Sequence, residues 1–125
     1  MVDRDPMVRP RYTGLGSFMR APYCSGDQGD DWRDVDIGMI GVPFDGGVTN
    51  RPGARHGPRE IRNQSSLIRR INQATGICPY DLARVADLGD AWIEKPFELE
   101  GALDEIAAFY AKVHGRGIIP LSAGG

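Results

Sequence analysis

The stretch that decides the fold is DIGMIGVPFDGGVTNRPGARHGPREIR, residues 36–62. It begins inside the apolar run VDIGMIGV (35–42), which is short and ends at Pro43, as is typical of a strand covered on both faces. The loop that follows, 43–58, is rich in Gly, Pro and Asn, which favour turns and close approach of the backbone. Pro58 then suits the first turn of a helix, where its missing N–H costs nothing. The stretch therefore predicts a strand, a loop and a helix in succession.

A first helix is predicted over residues 58–73. Ile61, Ser65 and Ile68 recur on one face of such a helix and make that face mostly apolar. Gly76 is expected to end it, because glycine favours the backbone conformation that follows a helix.

The strongest helical pattern covers residues 98–114. Its apolar side chains are spaced four, three, four and three residues apart, and they are Leu99, Leu103, Ile106, Tyr110 and Val113. We expect the first four of them to be buried against a sheet.

Two more strands are predicted downstream of the first helix. LARVADLGD, residues 82–90, indicates a strand near 83–88, and GIIPLSA, residues 117–123, indicates a strand near 117–122. Pro120 inside the third strand indicates a sheet edge or an irregularity. Because strands and helices alternate, the order β-α-β-α-β predicts an α/β fold with crossover connections and a parallel sheet.

The chain has 125 residues, which is enough for one small domain or for part of a larger one. We divide it into an N-terminal arm, residues 1–34, and an incomplete domain, residues 35–125. The arm is either a flexible leader or a segment that packs on a neighbouring subunit. It carries charges without a following apolar stretch, so we do not expect a signal peptide.

Charge and hydropathy exclude several functional classes. The 15 basic and 17 acidic residues are mixed along the chain and give a formal net charge of −2, so nucleic acid is not expected as a partner. The apolar runs have the length of strands, so no membrane span is expected. Cys24 and Cys78 are expected to be reduced thiols in a cytoplasmic protein.

The loop at 43–58 brings polar side chains to the carboxyl end of the first strand, where parallel α/β sheets bind their ligands. The candidate substrate-loop residues are Asp45, Asn50, Arg51, Arg55 and His56. Either they line a polar pocket, or Asp45 and the arginines brace the loop through bidentate ion pairs, and we favour bracing. His56 is not expected to bind metal, because no second histidine lies nearby and metal sites need several ligands.

Asp87 and Asp90 end the predicted second strand on either side of a glycine. Paired carboxylates bind metals or share a proton, but aspartate is also common beside a glycine turn for structural reasons. We favour the structural role. The residues by themselves identify no catalytic group.

Taken whole, residues 36–62 resemble the first strand, loop and helix of the agmatinase and guanidino-acid hydrolase branch of the ureohydrolase (arginase-like) family. SFMRAP (17–22) is similar to an arm motif of that family, and VADLGD (85–90) to its second strand. GIIPLSAGG (117–125) resembles its third strand, which leads to a Gly-Gly-Asp-His segment. The match spans roughly residues 11–125, and its most specific part is PFD…RPGARHGP.

The resemblance implies a three-layer α/β/α sandwich around a parallel sheet, in an enzyme that hydrolyses a guanidinium group to urea and an amine. It also implies two metal ions per subunit, usually Mn²⁺ and in some members Ni²⁺, and a homo-oligomer, trimer or hexamer. The first metal-binding histidine would come just after Gly125. The resemblance therefore places no metal ligand and no catalytic residue within this chain.

We accordingly expect a fragment of a metal-dependent amidinohydrolase that is inactive alone, with a small guanidino compound as the substrate of the parent protein. The alternative is a non-catalytic truncated paralogue that associates with a complete subunit. The resemblance leaves open whether the substrate is agmatine, guanidinobutyrate, guanidinopropionate or guanidine, and whether the metal is manganese or nickel.

Overall fold

A computed structural model of the chain describes residues 7–26, 32–69 and 71–125. The elements are β1 (Ile37–Val42), α1 (Gly57–Ser65), α2 (Pro79–Leu82), β2 (Val85–Asp90), α3 (Leu99–His114) and β3 (Ile119–Gly124). Two 3-10 turns, Phe18–Arg20 and Ala54–His56, complete them. The predicted order β-α-β-α-β is confirmed, with the short helix α2 as an unpredicted addition.

The three strands form one parallel sheet in the order β2-β1-β3. Ile37 of β1 is level with Val85 of β2 and with Ile119 of β3, and both pairs are parallel. This arrangement confirms the predicted parallel sheet and places all three carboxyl ends at one edge.

Helices pack on both faces of the sheet, as in part of an α/β/α sandwich. On one face Ile40 and Leu88 are buried with Ala102 and Val113 of α3. On the other face Met39 packs with the 3-10 turn Phe18–Arg20 and its neighbour Ala21. Helix α1 lies on this second face. Its position is shown by Pro58, which a Cβ built at Gly41 would approach to 2.9 Å.

The first helix is shorter than predicted. It ends at Ser65 instead of continuing to residue 73, and Leu67 and Ile71 are exposed. Polar side chains compete with the helix here. Ser65 Oγ donates to the carbonyl of Ile61 at 2.6 Å, and Asn72 Oδ1 accepts from the backbone N–H of Ala74 at 2.9 Å, which closes a local turn.

The predicted apolar stripe of α3 is partly wrong. Leu99 and Leu103 are about half exposed, and the fully buried residues of the helix are Ala102 and Val113. Ile106, Phe109 and Tyr110 pack against the core between them. A stripe through positions 102, 106, 109 and 113 has the same helical spacing as the predicted one. Spacing alone could therefore not tell which of the two neighbouring stripes faces the sheet.

Two leucines of unequal burial test this correction. Leu88 in β2 is 1% exposed, whereas Leu103 in α3 is 48% exposed. We expect Leu88→Ala to lower the free energy of unfolding by about 2–5 kcal/mol through loss of buried methyl groups and the cavity they leave. Leu103→Ala should cost under about 1 kcal/mol. Denaturant unfolding followed by circular dichroism measures both, and equal losses would show that Leu103 is core after all.

The two edges of the sheet differ. Along the outer edge of β2, Asp87 N–H donates to the carbonyl of Pro22, and Cys24 N–H donates to the carbonyl of Asp87, both at 2.8 Å. The outer edge of β3 carries no strand within the described residues, and Ile119 and Leu121 are exposed there. The position of β3 at the open edge accounts for Pro120, which the sequence predicted to mark a sheet edge or an irregularity. Ile119 N–H bonds to β1, so the alternation of a strand turns the ring nitrogen of Pro120 toward the open edge.

No helix within the described residues is both long enough and apolar enough to cross a membrane.

Candidate functional site

The carboxyl edge of the sheet is built from the ends of all three strands. The loop 43–56 leaves β1 there, Ala91 follows β2, and Gly125 follows β3. Backbone bonds tie these ends together: Ala91 N–H donates to the carbonyl of Gly41 at 2.8 Å, and Gly125 N–H donates to that of Val42 at 3.4 Å. Open parallel sheets bind their ligands at this edge.

A clasp on Asp45 holds the loop in shape. The carboxylate is buried and accepts the Gly53 N–H at 2.6 Å and the Arg55 Nε–H at 2.6 Å. Arg55 Nη2 lies 2.5 Å from Asp45 Oδ1, so the guanidinium binds the carboxylate through two nitrogens. Asp45 therefore closes the segment 46–52 into a loop whose two ends are fixed.

The clasp is ionic at ordinary pH. The hydrogen bond from the Arg55 side chain, followed by that from the Gly53 N–H, lowers the pKa of Asp45 to about 2, although burial acts in the opposite direction. The same hydrogen bond with Asp45 raises the pKa of Arg55. The clasp is thus fully formed at neutral pH. Its contribution to stability would be lost only as the pH falls from the ordinary pKa of an aspartate side chain toward 2.

The remaining candidates lie away from the clasp. Asn50 and Arg51 are exposed within the loop. His56 is exposed at the end of a 3-10 turn, where its backbone N–H donates to the carbonyl of Gly53 at 3.0 Å. The structure thus brings Asp45 and Arg55 together and leaves Asn50, Arg51 and His56 on the surface at the carboxyl edge.

The described residues contain no cluster of metal ligands. Among residues 7–26, 32–69 and 71–125, no three His, Cys, Asp or Glu side chains come close enough together to hold an ion.

The end of β3 lies directly against the clasped loop. A side chain at Gly125 would come within 2.7 Å of Ala54 Cβ and 3.0 Å of the Phe44 carbonyl oxygen. Gly124 has a φ of +132°, and a Cβ there would overlap the carbonyl oxygen of Val42. Two glycines are needed because β3 passes close to the backbone that begins the loop.

Asp87 lies beside this edge at the centre of an ionic network. It is fully buried, and its two oxygens accept Arg62 Nε–H at 2.8 Å, Arg62 Nη2–H at 2.9 Å, Phe18 N–H at 2.8 Å and Gly89 N–H at 2.9 Å. The Arg62 guanidinium also stacks 4.0 Å from the centre of the Phe18 ring. Asp87 thereby joins the arm, α1 and β2.

A bulge explains how Asp90 joins the same arginine. Positions three apart point to opposite faces of a regular strand. The register with β1 shifts between Met39 and Gly41, and Gly89 has a φ of +83°, so Asp90 turns back toward α1. Asp90 Oδ1 then accepts Arg62 Nη1–H at 2.6 Å. Burial alone would lower the pKa of Arg62, but the hydrogen bonds to Asp87 and Asp90 outweigh it and raise that pKa.

Comparisons with known proteins are consistent with this geometry. The pattern that defines the arginase family matches residues 35–125. The chain is 51% identical over 116 residues to the guanidinopropionase of Pseudomonas aeruginosa, and 38% identical over 115 residues to the mitochondrial agmatinase of Gallus gallus. The alignments cover 93% and 92% of this chain.

A solved structure shows the same likeness in three dimensions. The proclavaminate amidino hydrolase from Streptomyces clavuligerus superposes with a TM-score of 0.81 at 34% identity, over 93% of this chain and 36% of that one. The chain likewise spans 35% of the guanidinopropionase and 32% of the agmatinase. It therefore corresponds to about a third of each of these proteins.

Proposed function

Because this chain belongs to the arginase family over residues 35–125, we propose that it is part of an amidinohydrolase that hydrolyses a small guanidino compound to urea and an amine. The names of its relatives support this proposal, since they include a guanidinopropionase, an agmatinase and a proclavaminate amidino hydrolase. The complete protein is proposed to be a homo-oligomer in the cytoplasm.

The observation that carries the proposal is the position of the Asp45 clasp. It fixes the loop 46–52 at the carboxyl edge, beside Gly125, and Asn50 and Arg51 are exposed within that loop. We assign Asp45 and Arg55 to holding the loop, and Asn50, Arg51 and His56 to the entrance through which substrate passes. This division gives each polar residue of the loop a separate physical task.

A pair of Mn²⁺ ions, or of Ni²⁺ ions, is the cofactor that we propose for the complete protein. The described residues offer no group of ligands for such a pair, so no step of the reaction is assigned to this chain. The proposed contribution of this chain is to bind and orient the substrate at the carboxyl edge of the sheet.

Urea release tests the proposal. The purified 125-residue chain is expected to release no urea above the metal blank from agmatine, guanidinobutyrate, guanidinopropionate or guanidine, in excess Mn²⁺ or Ni²⁺, because a two-metal hydrolase needs several converging ligands. A complete protein containing this sequence is expected to release urea from one of these compounds. Turnover by the chain alone would contradict the assignment, and a complete protein inactive on all four would contradict the proposed function.

Two further tests address the role of His56 and the alternative of a truncated paralogue. In the complete protein, His56→Ala is expected to retain the full metal content while changing kcat/KM, because an entrance residue acts on substrate and not on metal. Loss of a metal equivalent with the fold intact would show that His56 is a ligand. A stop codon directly after Gly125 would favour the alternative, a non-catalytic paralogue that associates with a complete subunit.

A further inference from the structure

The loop between β1 and α1 is fixed at its base as well as in its middle. The Asp45 clasp closes the middle. We call Gly41, which lies just before the loop, and Pro58, which lies just after it, the loop base. These two residues touch, since a Cβ built at Gly41 would come within 2.9 Å of Pro58 Cβ. Pro58 is fully buried in the first turn of α1, so the direction in which the loop leaves the sheet is set where α1 packs on the end of β1.

The carboxylate of Asp90 lies in the loop base. Gly41 is level with Asp90 in the sheet, and Ala91 N–H donates to the carbonyl of Gly41 at 2.8 Å. A Cβ at Gly41 would overlap Asp90 Oδ1, so the glycine leaves the space that the carboxylate fills. Arg62 lies one turn after Pro58 on the same face of α1, and its Nη1–H donates to Asp90 Oδ1 at 2.6 Å. Asp90 thereby links the end of β2 to the helix that follows the loop.

The two carboxylates that bind Arg62 are unequal. The side chain of Asp87 is fully buried, whereas that of Asp90 is 40% exposed. Removal of the Asp90 carboxylate leaves the buried pair of Arg62 with Asp87 in place, and exposed ion pairs contribute little to stability. Asp90 adds a second fixed point on a planar guanidinium, and two fixed points determine how α1 is rotated against the sheet. Asp87 therefore stabilises the fold, and Asp90 sets an orientation.

We propose that Asp90 is a positioning residue for the substrate, because through Arg62 it holds the loop base and so keeps the entrance residues of the loop in place. This inference rests on the proposed function, which assigns those residues to the entrance. His56 lies two residues before Pro58, so a rotation of the first turn of α1 moves it directly. The rest of the loop moves with it, because the clasp ties the segment 46–52 to Arg55. All the contacts that carry the proposal are made between residues of one chain.

Kinetics and unfolding of the complete protein test this division of roles. The substrate is whichever of agmatine, guanidinobutyrate, guanidinopropionate or guanidine it hydrolyses best. Asp90→Ala is expected to raise KM about tenfold, the lower end of what a hydrogen bond to a charged group contributes to an equilibrium. The kcat and the urea midpoint of unfolding should stay close to those of the unaltered protein. Asp90→Asn keeps an acceptor oxygen for Arg62 and should recover most of the loss. A lower midpoint with an unchanged KM would overturn the proposal.

A double variant tests whether Asp90 acts through the loop. Arg55→Ala opens the clasp and is also expected to raise KM. Because both substitutions loosen the same loop, the double variant should raise KM by less than the product of the two single effects. An effect equal to that product would show that Asp90 acts on the substrate by another route, and the proposal would fail.

Hydrogen exchange gives a measurement that needs no turnover. Gly53 N–H is held by the Asp45 carboxylate at 2.6 Å, so peptides spanning residues 46–55 should exchange faster in Asp90→Ala than in the unaltered complete protein. Asp36→Ala is the control, because it breaks an ion pair with Arg84 at the opposite end of the strands and should change neither exchange nor KM. A complete protein inactive on all four compounds would contradict the proposed function, and exchange would then decide the role of Asp90. Unchanged exchange in Asp90→Ala would overturn that role.

Discussion

Asp87→Ala is expected to lower the free energy of unfolding by about 3–5 kcal/mol, the usual cost of removing one partner of a buried ion pair. The substitution leaves Arg62 largely buried with Asp90 as its remaining carboxylate partner. It also strips the N–H groups of Phe18 and Gly89 of their acceptor. Since small domains are marginally stable, we expect most molecules of this variant to be unfolded at room temperature. Circular dichroism with urea titration measures the loss.

An exposed ion pair provides the matched control for Asp87. Asp36 binds Arg84 through both oxygens, and the Arg84 hydrogen bonds lower the pKa of Asp36 to about 2, yet both side chains are largely open to solvent. Asp36→Ala should therefore change stability little, because exposed ion pairs contribute little. Equal losses for the two variants would mean that burial is not what makes Asp87 important.

Gly124→Ala is expected to displace β3 and to cost several kcal/mol. Two separate effects act at this position, and each costs about 1–3 kcal/mol. The first is a φ of +132°, which residues other than glycine rarely adopt, and the second is the overlap of a Cβ with the backbone oxygen of Val42. Because backbone atoms cannot rotate away, the end of β3 must separate from β1. Loss of amide protection at Gly125, measured by hydrogen exchange, would report this separation.

Gly117→Ala separates the two effects. Gly117 also has a positive φ, of 70°, but a Cβ there would meet no atom within 4 Å. It should therefore cost only the conformational part. If Gly124→Ala were no worse than Gly117→Ala, the close approach of β3 to the loop would not matter for stability.

The sequence predicted the elements well where local patterns determine them. The strand expected near 35–42 is found at Ile37–Val42, and the helix expected over 98–114 is found at Leu99–His114. The apolar run and the helical spacing are properties of neighbouring residues. The first helix was overestimated because the side chains of Ser65 and Asn72 form local hydrogen bonds that a count of apolar positions ignores.

The polar network around Asp87 could not be predicted in the same way. Arg62 and Asp87 are 25 residues apart, and Phe18 is farther still from Asp87 along the chain. From the sequence, Gly89 is predicted to lie in a turn at the end of the second strand, whereas it lies inside β2 with a φ of +83° and belongs to a bulge. The Asp45 clasp was easier, since Arg55 and Asp45 lie in one loop and ion-pair bracing was the favoured interpretation.

Because the two lateral edges of the sheet differ, a further strand can pair with the sheet on one side only. Residues 22–24 already occupy the outer side of β2, so any further strand, from the same polypeptide or another, has to add beside β3. Pro120 offers no N–H on that side, which confines strand addition to the carboxyl half of β3, at Ser122 and Gly124. Residues 22–24 precede β3 along the chain, so the closed side of the sheet is formed by the earlier part of the polypeptide and the open side by the later part.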